Sequence, residues 1–218
     1  MRRRGYKINY VNKNKEIKKR KEKMIKDNLN YKFKGFIKIK DDLGNILLEK
    51  ENAIHFENMS IALARALSGD PRGHIHEMHF GNGGSNLTGN GTLTYLLPNI
   101  TGIDADLYST TYYKVVNQNS NLNTDPSKNN ITVKHVIGEL YSDIIIKCVL
   151  DFNEPSGQEA FDNSINMEGD FIFDEIGLKL FNTVPGTGEL ITHVIFSPIQ
   201  KSLNRQIEIE YIVRIQNC

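Results

Sequence analysis

The sequence predicts a mostly β chain: an antiparallel β-sandwich or barrel-like domain over residues 31–218, with one buried helix and a basic tail at residues 1–30. Three observations predict it. Leu140, Ser142, Ile144, Ile146, Cys148, Leu150 and Phe152 keep one parity, and so do Ile207, Ile209, Tyr211, Val213 and Ile215, the period-2 mark of half-buried strands. Phe56, Met59, Leu63 and Leu67 stand at helical spacing, and Gly69 followed by Pro71 is a stop signal. Finally, residues 1–30 contain twelve Lys or Arg and three acids, with no apolar periodicity able to bury anything.

The elements follow in order. Met24 opens a segment that reads like an ordinary protein start, so residues 1–23 read either as a tail or as an upstream extension. Tyr31, Phe33, Ile37 and Ile39 share a parity, and Asp41-Asp42-Leu43-Gly44-Asn45 supplies the turn into Ile46-Leu47-Leu48, predicting a hairpin. The helix over 56–67 is apolar nearly all round because Ile61, Ala62, Ala64 and Ala66 add to its main stripe, as expected where a helix packs on a sheet. Residues 171–181 and 189–196 predict two more strands joined by a Gly- and Pro-rich turn at 182–188. Two polar, Asn-rich loops at 117–130 and 153–170 are the expected places for partner contacts.

Composition narrows the function classes. Of 27 basic and 26 acidic residues, the first 30 positions take twelve and three, which leaves an acidic body. Only the tail, through Arg2, Arg3, Arg4, Lys18, Lys19, Arg20, Lys21 and Lys23, has the charge to meet phosphate or an acidic partner. The two cysteines, Cys148 and Cys218, give no disulfide framework and fit a reducing compartment; Cys148 reads as a core thiol. No run reaches the ~18 apolar residues of a membrane helix, and no secretory signal opens the chain.

Candidate sites weigh light. His74 and His76 share a strand face, but His79 has the opposite parity, so no metal site is assigned. Phe80-Gly81-Asn82-Gly83-Gly84-Ser85 lacks the Gly-Lys-Ser/Thr ending of a nucleotide loop and reads as a turn that allows close backbone approach. Residues 151–162 place Asp151, Asn153 and Ser156 near calcium-loop positions, yet Pro155 and Gly157 are misplaced for the bend. No Gly-x-Ser-x-Gly elbow or acid–base pair is evident, so the expectation is a non-enzyme without cofactor.

Several segments together carry a resemblance. These are His76-Glu77-Met78-His79-Phe80-Gly81-Asn82-Gly83-Gly84, Tyr95–Gly102, Ala105-Asp106-Leu107-Tyr108, Phe173–Leu178, His193–Ile199 and Ile207–Ile215. Over about residues 30–216 the chain resembles a family of virion structural proteins of tailed bacteriophages. The resemblance implies a particle subunit, made and assembled in the host cytoplasm, located in the head, neck, tail or baseplate. It implies other virion proteins as partners, homo-oligomerisation and, in the head, packaged DNA facing the tail; it carries over no functional residue. The alternative is a carbohydrate- or receptor-binding β-sandwich module of a phage fibre, for which Tyr108, Tyr112 and Tyr113 are the best aromatic platform in a chain without Trp.

Overall fold

The structure, a computed structural model, describes residues 30–155, 172–202 and 204–217. The basic residues Arg2 to Lys23 lie outside them. Eleven strands follow one another: β1 (Tyr31–Asp41), β2 (Ile46–Ile54), β3 (Ile75–Gly81), β4 (Ser85–Leu87), β5 (Leu93–Tyr95), β6 (Thr110–Val115), β7 (Asn130–His135), β8 (Tyr141–Leu150), β9 (Ile172–Leu180), β10 (Leu190–Gln200) and β11 (Ile207–Asn217), with helix α1 (Phe56–Ser68) between β2 and β3. Nine strands form one antiparallel sheet in the order β6-β3-β9-β10-β2-β1-β11-β8-β7, curled into a half-barrel, while β4 and β5 make a separate hairpin. The sandwich-or-barrel expectation resolves to this curled sheet.

The two long alternations become its middle. β11 lies between β1 and β8, with Ile39 opposite Ile209 and Ile209 opposite Cys148. Ile37, Ile39, Ile146, Cys148, Leu150, Ile207, Ile209, Tyr211 and Val213 turn inward and are buried. Each fully buried aliphatic side chain contributes about 1.5–3 kcal/mol, so this row is the main stabilising layer. On the outer face of the same strands the register sets Glu49, Lys38, Glu210 and Lys147 in one line of alternating charge.

The β1–β2 hairpin turns where the sequence places it. The Asp41 carboxylate accepts from the backbone N–H of Leu43 and Asn45 and from the Asn45 amide, and Gly44 takes a φ of 83°. His55 caps α1 by accepting from Asn58 N–H through Nδ1 at 3.2 Å, and Gly69 ends the helix at a φ of 77°. Met59 and Ala62 pack into the core. Phe56 and Leu67, expected on the buried stripe, remain 67% and 81% exposed, because the helix turns only the side bearing Asn58, Met59 and Ala62 inward. No helix among the described residues is long and apolar enough to cross a membrane.

Candidate functional site

Strand β9 is buried along its whole length. Ile176, Leu178 and Leu180 enter the core. Its other face carries Glu175, Gly177 and Lys179 and lies under the segment 82–109. Glu175 is completely buried and accepts from four donors: Gly83 N at 3.1 Å, Ser109 N at 2.8 Å, Tyr108 N at 3.0 Å and His193 Nε2 at 2.9 Å. Burial alone would raise its pKa, but the His193 bond and the backbone donors outweigh it and hold the carboxyl below its usual range. His193 Nδ1 in turn accepts from Asn99 N–H at 2.8 Å, which fixes the neutral tautomer with its proton on Nε2.

The neighbouring Asp174 accepts from Gly84 N at 2.9 Å and from Ser85 N and Oγ at 2.7 and 2.5 Å. Here burial prevails over those bonds and raises the pKa, with the Glu175 charge adding to the rise. The glycine-rich loop therefore cradles anions, but they are the chain's own carboxylates. A Cβ at Gly83 would stand 2.7 Å from Tyr108 Cβ, so the close approach requires glycine.

Of the three predicted histidines, His74 and His76 stay together, their rings 5.9 Å apart, and His79 parts from them. His74 stacks on Phe181 with centroids 5.3 Å apart, and His76 meets the same ring edge-on at 4.9 Å. His79 faces the loop layer, where its Nε2 donates to Glu77 Oε2 at 2.8 Å and its ring stacks on Tyr113. Glu77 also accepts from Gly186 N, and Lys179 reaches Asp106 at 2.7 Å. Burial lowers the pKa of His74, His76 and His79 alike. Among the described residues no three His, Cys, Asp or Glu side chains are grouped to hold a metal ion.

The start of the calcium-like segment is met by lysines. Lys128 bonds Asp151, Lys114 bonds Glu154, and the buried Lys201 donates to the Asp151 carbonyl at 2.8 Å. Burial pulls the Lys201 pKa down to about 8. Residues 156–162 of that segment lie outside the described residues, as does most of the loop 153–170. Cys148 is fully buried and burial pushes its thiol up to about 12, the state of a core group and not of a nucleophile.

The tyrosines do not assemble a platform. Tyr112 and Tyr113 are successive residues of β6 and point to opposite faces, Tyr112 packing near Phe80 and Tyr113 on His79. Tyr108 bonds the Leu97 carbonyl from another loop.

Loop 117–130, where partner contacts are expected, is tied into the fold near both ends. Buried Asn129 accepts from Val149 N at 2.9 Å, and the Gln118 amide makes both strand-type bonds to Ile131, accepting from N at 2.9 Å and donating to O at 3.0 Å.

Apolar surface gathers at the open side of the half-barrel. The end strands of the sheet are β6 and β7. Between α1 and β7 opens a cavity of 570 Å³, floored by Phe33, Ile131, Val133, Ile144, Val213 and Ile215. Met59, Ala62 and Leu63 of α1 form its wall, and Asn117, Gln118, Asn119 and His74 supply its polar rim. Beside it, Val133, Ile137 and Leu140 are 71%, 96% and 69% exposed. Neither a protein-family model, nor a curated protein, nor a solved structure matches the chain. Sequence reasoning missed this site because its apolar residues come from eight elements and only Ile131 and Val133 share the edge strand.

Proposed function

We propose that this chain is a structural subunit of a tailed-phage virion, acting through protein–protein contacts with other virion proteins and with its own copies. One observation carries the reading. The interior carboxylates Glu77, Asp174 and Glu175 are held by internal donors, while the apolar cavity, the β7 edge and the exposed Ile137 and Leu140 gather on one side, as an assembly surface requires. The proposal extends to the basic residues Arg2, Arg3, Arg4, Lys18, Lys19, Arg20, Lys21 and Lys23, the part of the chain suited to packaged DNA. The fibre-module alternative gains no support from Tyr112 and Tyr113, which point to opposite faces of β6, or from Tyr108, whose hydroxyl is engaged by the Leu97 carbonyl.

The test is quantitative mass spectrometry of particles purified from a host producing this chain. The chain is expected at a fixed copy number relative to the major particle protein after high-salt washing. Its absence from washed particles, with the protein left free in the lysate, overturns the reading.

A further inference from the structure

We propose that the open side of the half-barrel is a self-association surface, in which the β7–β8 hairpin of a second copy places Ile137 in the cavity between α1 and β7. The inference rests on the assembly reading and names one partner for that surface.

The cavity selects an apolar occupant. Among the described residues no Asp, Glu, Lys or Arg lines it, and the one ionisable side chain at it, His74, is held toward neutrality by burial. The rim amides of Asn117, Gln118 and Asn119 can meet a backbone at the entrance, so an apolar tip on a hydrogen-bonding stem fits the site. The chain carries such a tip. Gly138, at a φ of 93°, closes the turn after Ile137, and Ile137 is 96% exposed, with Val136 and Leu140 also exposed. A solvated turn has no use for three apolar side chains at its end.

Cavity and tip belong to one patch, because Val133 both lines the cavity and belongs to the exposed stretch 132–140 that carries Ile137. A patch holding its own complement is the condition for a two-fold contact, in which each copy gives a tip and receives one.

The edge backbone fixes the register. Ile131 turns its N–H and C=O away from β8, toward Gln118. By strand period Val133 and His135 turn theirs the same way. An antiparallel approach of two β7 strands centred on Val133 then sets Thr132 opposite Lys134, avoiding lysine against lysine. The same register brings Ile137 of the second copy beside Asn129, next to Ile131 and Gln118 at the cavity rim, and on the parity of Ile131 and Val133. In the dimer the backbone of the second copy's His135 takes over the bonds that the Gln118 amide makes with Ile131.

The experiment is sedimentation velocity of the full chain across ~1–200 µM, with Ile137→Asp as the variant. Wild type is expected to pass from monomer to dimer, and Ile137→Asp to raise the dissociation constant at least ~10-fold, while at a concentration where both proteins are monomeric their melting curves coincide, since the side chain is exposed. As an independent readout, a mixture of Ile137→Cys and Asn119→Cys proteins, both carrying Cys218→Ser, should form a covalent dimer with a short bismaleimide, and neither protein alone should do so as fully. A wild type that stays monomeric, a dimer indifferent to Ile137→Asp, or a mixture that does not cross-link above the single proteins overturns the inference. The two readings fail separately. A monomer that still enters particles overturns only the self-association, whereas a tip-dependent dimer absent from particles overturns only the virion assignment.

Discussion

At Gly177 an added Cβ would stand 2.5 Å from Leu190 Cδ1, 2.7 Å from Leu107 Cδ1 and 2.9 Å from the Thr192 carbonyl oxygen. The register explains the crowding. His79, Gly177 and His193 are direct neighbours across β3, β9 and β10, so the glycine is the gap between two imidazoles into which Leu107 descends. The side-chain ends can yield, but the Thr192 backbone cannot. Gly177→Ala is therefore expected to cost about 1–3 kcal/mol of stability, read as a lower denaturation midpoint with unchanged slope. An alanine variant as stable as wild type would show that the loop layer is loosely seated. From the sequence alone Gly177 is one more strand glycine, and its role follows only from what lies over it.

At the scale of elements, β11 holds the sheet together because it is hydrogen-bonded along its length to β1 on one side and β8 on the other. Ile209 is fully buried at its centre, between Ile39 and Cys148. Ile209→Asp places an unpaired carboxylate there, and the protein is expected to lose its soluble fold, measured as the soluble fraction on expression and the circular dichroism of what remains. Soluble, cooperatively melting Ile209→Asp protein would remove β11 from the core. The segment 117–130 contributes in a different way. It has no apolar alternation, yet the Asn129 side chain completes the backbone bonding of Val149, and in the monomer Gln118 satisfies the outward N–H and C=O of Ile131 on the β7 edge.

For the whole molecule, the buried titratable groups set a direction for stability against pH. His74, His76 and His79 have pKa values below their ordinary 6.5, so as pH falls through that value the unfolded chain binds protons that the folded one refuses, and stability declines. Glu77 and Glu175 lie below their ordinary 4.5, so the stability they contribute is present above 4.5 and is lost as pH falls through their folded values. Asp174, with a raised pKa, opposes this without reversing it, being one group against five. Urea unfolding at pH 7, 5.5 and 4 is expected to give midpoints that fall in that order. A midpoint that rises on acidification would mean that the histidines are charged partners in the fold and not neutral buried rings.

Strand periodicity, the helix with its glycine stop, the β1–β2 turn and the core placement of Cys148 were all legible in the sequence, because each is a local property: side chains alternate every two residues or recur every three to four, and burial follows. The curled nine-strand order, the pairing of His193 with Glu175 and the cradle that Gly84 makes for Asp174 were not. Gly84 and Asp174 are 90 residues apart, and only the placement of β3 against β9 brings them to 2.9 Å. Which donor meets which buried carboxylate depends on strand order and register, and neither is encoded in the spacing of residues along a single strand. The same holds for the cavity. Its apolar residues satisfy the alternation rule in every contributing strand, but the opening exists only because the sheet curls without hydrogen-bonding β6 to β7.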